Sequence, residues 1–320
     1  LVALATLAGA RANEEDQAAK ARIFSPEDAP RVLQAAAEKL DASALAGDPA
    51  LVDRVLDISG QEAAARIGPH RQDTEVRFRW TAGERKIALA EERMVILGKG
   101  GDFHARIHND QRQGMEWVKV DGVSYARSRY ARFRERRRDR GSSETVVADA
   151  YATLSAFRDW VHGALALERV GARTVAGRSG VEYRVALGKP RVRPRDARLP
   201  PVVFPKGGPD EDTALRLAAL ETGRPERLSG TLVVDAEAAV PLAADLEATV
   251  VVPGEKPARL ELTVHLAVQA HDGRIEVPEH IEDAPRPPGV VATLEAYGFP
   301  RAGGGKQEEA PSGENPPPEE

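Results

Sequence analysis

The sequence predicts an α+β protein dominated by one large antiparallel β-sheet, and three stretches carry that expectation. Between Leu228 and Gln269 run three long alternating segments joined by short turns. Leu260, Leu262, Val264, Leu266 and Val268 share one face; Arg259, Glu261, Thr263, His265 and Gln269 share the other. Alternation of period two over this length belongs to antiparallel strands with one dry and one wet face. A second set of alternating segments lies between Thr74 and Phe133. The stretch between the two sets is helical instead, with Val147, Ala150, Tyr151, Leu154, Phe157, Val161, Ala164 and Leu165 recurring at helical spacing.

Taken in order, Leu1–Ala12 is a short apolar run closing on the small-x-small pattern Ala10-Arg11-Ala12, followed by the acidic Asn13–Asp16. It reads as the remnant of a secretory signal peptide, so the mature chain is expected to be periplasmic or secreted. The run is too short to span a bilayer. Residues 13–60 are expected to be a helical segment. Ser25-Pro26-Glu27-Asp28 is a helix start, with Ser as cap and Pro at the first helical position, and a second short helix covers Leu51–Leu56.

Residues 61–298 hold the sheet. Thr74, Val76, Phe78 and Trp80 point one way and Glu75, Arg77 and Arg79 the other. Ala82-Gly83 marks a turn. Ile87–Leu89 and Met94–Leu97 read as two further strands, with Glu91-Glu92 in a turn between them. Gly98–Gly101 connects to Phe103–Ile107, and Asp121-Gly122 joins Met115–Val120 to Val123–Phe133 as a hairpin. A single long helix is expected over Ser142–Leu167, then strands at Arg173–Ala176 and Tyr183–Leu187. The Pro-rich insert 188–227 carries prolines 190, 194, 200, 201, 205, 209 and 225 and one short helix, Asp212–Thr222, before Gly223. Residues 299–320 are Gly-, Pro- and Glu-rich and read as a disordered acidic tail.

Composition narrows the function classes. The 320 residues are 42% hydrophobic but only 5% aromatic, so the core must rest on Ala, Val and Leu. A net charge of -5 argues neither for nor against nucleic acid, which is not an expected partner because an exported protein meets little of it. There is no cysteine, which removes disulfides, thiolate nucleophiles, Cys-ligated metals and a lipobox cysteine together. No nucleophile elbow, metalloprotease motif or phosphate loop is present, which leaves no catalytic residue to name without excluding an enzyme; a non-enzyme with no metal or cofactor is the expectation. His104 and His108 flank Arg106 on the outward side of one strand, too far apart for a shared metal.

Leu228-Ser-Gly-Thr-Leu-Val-Val-Asp235, followed by Val240-Pro241-Leu242, looks like a strand that ends in Asp, turns, and restarts at a Pro-Leu pair. Arg173-Thr-Val-Ala-Gly-Arg178 before Tyr183 looks like the hairpin preceding it. Over about Thr74–Ile275 the chain resembles the periplasmic lipoprotein-carrier superfamily, the Lol-type carriers and related mycobacterial lipoproteins. In place of that family's usual Thr-Gly turn stand Ala238-Ala239. The resemblance implies a strongly curved antiparallel sheet, an unclosed half-barrel of about 10–11 strands, with a few helices packed in or over its concave face. It also implies a hollow that takes acyl chains.

On that reading Phe78, Trp80, Leu89, Tyr125, Tyr151, Leu154, Phe157, Leu246 and Leu262 are the expected lining of the hollow, and the same residues would serve equally as packed core. The helix at Ser142–Leu167 and the Pro-rich insert would act as lid or plug. Arg127–Arg140 holds eight arginines and two acids. Within it Arg132, Arg134, Arg136, Arg137 and Arg138 form a candidate patch for anionic head groups, or a solvated strand end. The expected partners are a lipid or acylated protein and an anionic membrane surface. The alternative is an envelope scaffold or regulatory sensor of the same fold, with a filled core and protein partners.

Overall fold

The computed structural model describes residues 39–136, 139, 141–191, 211–254 and 257–282, with no side chains described over 211–216. The signal-peptide remnant, the helix start at Ser25, residues 192–210 of the Pro-rich insert, Arg137, Arg138 and Arg140, and the acidic tail lie outside these residues.

Two short helices come first. α1 (Pro49–Leu56) starts where Asp48 accepts hydrogen bonds from the Ala50 and Leu51 amides and Pro49 takes the first helical position. α2 (Gly60–Ile67) is capped by Ser59, whose hydroxyl accepts from the Glu62 amide at the spacing of a capping box. The sheet follows as β1 (His70–Ala82), β2 (Arg85–Leu97), β3 (Phe103–Asn109), β4 (Gly114–Val120), β5 (Val123–Ser128) and the two-residue β6 (Arg134–Glu135). After α3 (Ser142–Tyr151) and α4 (Thr153–Trp160) come β7 (Leu165–Val175) and β8 (Arg178–Leu187). α5 (Glu211–Thr222) then leads into β9 (Arg224–Asp235), β10 (Pro241–Val252) and β11 (Ala258–Ala270).

All eleven strands form one antiparallel, unclosed sheet in the order β6-β5-β4-β3-β2-β1-β11-β10-β9-β8-β7. Two meanders therefore run outward from a central β1–β11 pair, and the chain must travel from one outer edge, β6, to the other, β7. The helices α3 and α4 make that crossing over the inner face. The apolar row that the sequence predicts is continuous across strands. Val76 faces Val264, Phe78 faces Leu262 and Trp80 faces Leu260; Leu246 lies beside Val264 and Ala248 beside Leu262. Leu260, Leu262, Val264, Leu266 and Val268 are all buried, as are Val52, Val55, Leu154 and Phe157 from the helices above them. Ala244 and Ala248, small residues that could have left room, are buried at 1% and 4% exposure, so the space over them is filled.

Four expectations need correction. First, β2 is one strand through Glu91-Glu92 rather than two strands with a turn. The inward Glu91 is paired with Arg93 at 2.6 Å, and Arg93 also donates to the Asp149 carbonyl, so charge on the inner face is satisfied in place. Second, the long helix is two helices. It breaks at Ala152, where the carbonyls of Asp149 and Tyr151 accept from Arg93 and Gln72 of the sheet. Third, Leu165 and Leu167 belong to β7, because His162 and Gly163 take positive φ values of 51° and 66° and end the helix. Fourth, the strand from Val123 stops at Ser128, where a turn returns the Ala131 amide to the Ser128 carbonyl.

Candidate functional site

The helices over the inner face are fastened by a polar seam. His70, 2% exposed, is a β1 residue pointing inward. Its Nδ1 lies 2.9 Å from the Gly68 carbonyl, which can only accept, so Nδ1 carries the proton. Its Nε2 is thereby left to accept from the Tyr151 hydroxyl at 3.1 Å. Burial holds the His70 pKa down and pushes the Tyr151 pKa up, so both stay neutral. Gln72 donates to the Tyr151 carbonyl at 3.3 Å and Arg93 to Thr153 Oγ1 at 3.4 Å. At the rim Lys119 pairs with Glu144 at 2.5 Å.

Of the residues expected to line a hollow, Trp80, Tyr151, Leu154, Phe157, Leu246 and Leu262 are buried between sheet and helices. Phe78 and Leu89 face each other across β1 and β2 and are half-buried. Ile87, opposite Trp80, and Trp160, the last residue of α4, are half-buried beside them. The ring centroids of Trp160 lie 5.9 Å from Phe78 and 6.2 Å from Trp80, both edge-to-face. These four side chains form an apolar mouth at the end of the sheet where β2 outruns β3, since β3 ends at Asn109 opposite Glu91. Ile87 and Trp160 are absent from the sequence-based lining; the Phe78–Leu89 alternation reaches Ile87, but Trp160 needs the end of α4 to be known.

Tyr125 is not brought to this place. It pairs with Val118, while the inward Trp117 pairs with Ala126, so Tyr125 lies on the opposite, outer face. That outer face carries its own cluster. Glu116 is 4% exposed, and its carboxylate accepts from His104 at 2.6 Å and Arg127 at 2.6 Å. Burial raises the Glu116 pKa, but these two hydrogen-bond donors and their charge outweigh it and pull it down to about 2. Arg127 also stands 4.4 Å from the Phe133 ring. Among the described residues Arg127, here, and Arg129, which donates to the Asn109 carbonyl, have internal duties, and Arg134 also has a partner. Arg132, Arg134 and Arg136 are exposed, with Arg136 5.9 Å from the Trp117 ring. Arg137 and Arg138 lie outside the described residues.

A pH dependence follows from Glu116. Its carboxylate pKa lies below the unfolded value of 4.5, so the stability it contributes is present above pH 4.5 and is lost as pH falls towards 2. The expected loss over that window is about 3 kcal/mol, from about 1.4 kcal/mol per pKa unit. Urea unfolding of the native protein and of Glu116→Gln at pH 5 and pH 2.5 checks it. The native protein should be the more stable at pH 5, and the two should converge at pH 2.5. Equal pH slopes would rule the contribution out.

A depression of about 250 Å³ on the outer face involves Ser229, Asp245, Thr263 and His265. His265 Nδ1 lies 2.5 Å from Asp245, but the two side chains are 59% and 62% exposed, a solvated pair. Among the described residues no group of three or more His, Cys, Asp or Glu is placed to hold a metal ion. Nor is any helix among them long and apolar enough to cross a membrane.

No family model and no curated protein matches the sequence. Solved structures do. The Pseudomonas aeruginosa MucA/MucB complex aligns at 16% identity over 72% of this chain and 60% of that chain, with a TM-score of 0.22. This chain thus spans about 60% of the length of that neighbour. A LolA superfamily protein from Nitrosomonas europaea aligns at 8% identity over 71% of this chain and 93% of that chain, TM-score 0.21. A domain named for outer membrane lipoprotein sorting, from Vibrio parahaemolyticus, aligns at 9% identity over 71% and 95%, TM-score 0.21. One of these solved structures carries the superfamily name that the sequence resembles.

Proposed function

We propose that this chain is a non-enzymatic binding protein of the cell envelope that seats an acyl chain, of a lipid or an acylated protein, in the mouth formed by Phe78, Ile87, Leu89 and Trp160. It would work as a carrier or a lipid sensor. One observation carries the reading: these four apolar side chains lie together and stay partly exposed at one end of a face whose middle is buried. Covering such surface gains roughly 25 cal/mol per Å², and each methylene of an acyl chain brings about 0.8 kcal/mol. Because the remaining lining is already packed, a long chain would enter further only by displacing α4, the plug. The exposed Arg132, Arg134 and Arg136, with Arg137 and Arg138, would meet anionic head groups.

Stearic acid brominated along its chain tests the reading through tryptophan fluorescence. Trp80 and Trp160 border the mouth and Trp117 does not, so saturable partial quenching is expected. Leu89→Glu, at a half-exposed position, should weaken binding by about tenfold or more, since 1.4 kcal/mol is tenfold. Absence of quenching, together with no lipid in solvent extracts of the purified protein by mass spectrometry, would reject it. The filled interior around Tyr151, Leu154, Phe157, Leu246 and Leu262 favours the second reading, a scaffold or sensor acting through protein contacts, and that outcome would leave it standing.

A further inference from the structure

Apart from the start of β9 past β8, which carries Pro225 and an irregularity in its pairing with β10, three stretches of strand edge lie open among the described residues. β6 is two residues long. β7 is interrupted by a bulge between Arg169 and Gly171 and carries Glu168, Arg169 and Arg173. Short, bulged and charged edges resist pairing with another strand. The third stretch has neither bulge nor brevity. It is the part of β2 that runs past the end of β3, from Lys86 to Leu89, in unbroken register with β1.

The orientation of its backbone can be read from one bond. The Asp110 amide, the residue after β3, donates to the Ala90 carbonyl at 2.9 Å. Ala90 therefore turns its backbone groups away from β1 and towards the β3 side. In an antiparallel ladder this alternates with period two, so Ala88 and Lys86 present their N–H and C=O groups to the same side. Among the described residues nothing pairs with them, and both residues are exposed. The side chains between them, Ile87 and Leu89, point into the mouth. Lys86 projects from the other face and is exposed.

We propose that this free β2 edge binds an extended peptide segment of a partner protein, added antiparallel in the track that β3 vacates. Unpaired N–H and C=O groups at strand spacing are matched by another backbone, not by a hydrocarbon chain. The alternation on β2 sets the sequence of the guest. Its residues beside Ile87 and Leu89 face the mouth and are apolar; those on the Lys86 side are acidic. The inference deepens the acyl reading, on which it rests for the mouth: an acylated protein would place its lipid in the mouth and its adjoining chain along β2.

The probe is an eight-residue peptide alternating Val and Glu, against a peptide of the same composition in two blocks. Residue-resolved amide exchange of the unmodified protein should show Lys86 and Ala88 slowed tenfold or more by the alternating peptide, and the block peptide should bind at least tenfold more weakly. Ala88→Pro removes one edge N–H that makes no bond to β1, a substitution edge strands tolerate. It should weaken peptide binding tenfold or more and leave quenching by brominated stearic acid unchanged. Peptide protection without fatty-acid quenching would remove the acyl reading and keep this one. Equal affinity for the two peptides, unchanged exchange at Lys86 and Ala88, or protection that rises with protein concentration alone, as a second copy pairing edge to edge would give, overturns it.

Discussion

Gly230→Ala is expected to cost about 4 kcal/mol or more, among the largest effects a single substitution produces, and to leave most of the chain unfolded under mild denaturant. Gly230 lies on β9 between Val185 of β8 and Leu246 of β10, at the centre of the inner face. Its φ is +146°, a backbone conformation that L side chains rarely adopt. A Cβ there would sit 2.0 Å from the Asp245 carbonyl oxygen and 2.9 Å from Leu246 Cα. Both obstacles are backbone atoms of the neighbouring strand, so the clash is relieved only by parting β9 from β10. Gly83→Ala separates strain from collision. Gly83 also has a positive φ, +60°, but nothing lies within 4 Å of its would-be Cβ. It should cost only the backbone strain, about 1–2 kcal/mol. Urea midpoints of the two variants give the comparison; a Gly230→Ala loss no larger than that of Gly83→Ala would show that the strands yield.

The elements that alternation could read were those whose faces are set by burial alone. The row from Leu260 to Val268 and the row from Thr74 to Trp80 are where the sequence puts them, because a slip of one residue would turn every apolar side chain to water. What was illegible depended on partners distant in sequence. Nothing around Ala152 is a helix breaker; the break becomes possible because Gln72 and Arg93, on strands formed earlier in the chain, accept responsibility for two freed carbonyls. Glu91-Glu92 looks like a turn until Arg93 is seen folded back on Glu91. The sequence pattern points Tyr125 inward, whereas its pairing with Val118 turns it to the outer face. In Val123–Ser128 the larger apolar residues, Val123 and Tyr125, alternate away from the core, and Val123 is left exposed there. The helix α2 was legible but unread: Ser59 and Glu62 stand at capping-box spacing before an alanine run. For the mouth, alternation supplied Phe78 and Leu89. Trp160 had to wait for the position of α4, since its role comes from where the helix stops.

Arg158→Met is expected to destabilise the fold by about 1–3 kcal/mol, the range for leaving buried hydrogen-bonding groups unmatched. Arg158 lies on α4 and is 1% exposed. Its Nη2 stands 2.8 Å from Asp57 of the α1 C-cap and 3.1 Å from Asp159, and its Nη1 donates to the Asp53 carbonyl at 3.1 Å. Burial works against its charge, but Asp57 and Asp159 outweigh burial and hold its pKa above the ordinary arginine value. Methionine keeps most of the volume and loses the charge and every donor. It leaves the Asp53 carbonyl unmatched and two carboxylates facing each other across the α1–α4 junction. Asp53 itself remains held by Arg191 at 3.1 Å, so α1 should stay folded while its grip on α4 weakens. Because α4 carries both Phe157, in the core, and Trp160, at the mouth, that loosening should be visible locally: acrylamide should quench Trp160 more strongly in Arg158→Met than in the native protein, below the denaturant concentration at which either unfolds. Asp57→Asn, at a carboxylate 37% exposed, should cost about 1 kcal/mol, the surface-pair range. If Arg158→Met costs no more than that, the junction is held by its apolar contacts alone, and α4 cannot be a plug whose release is set by this ion pair.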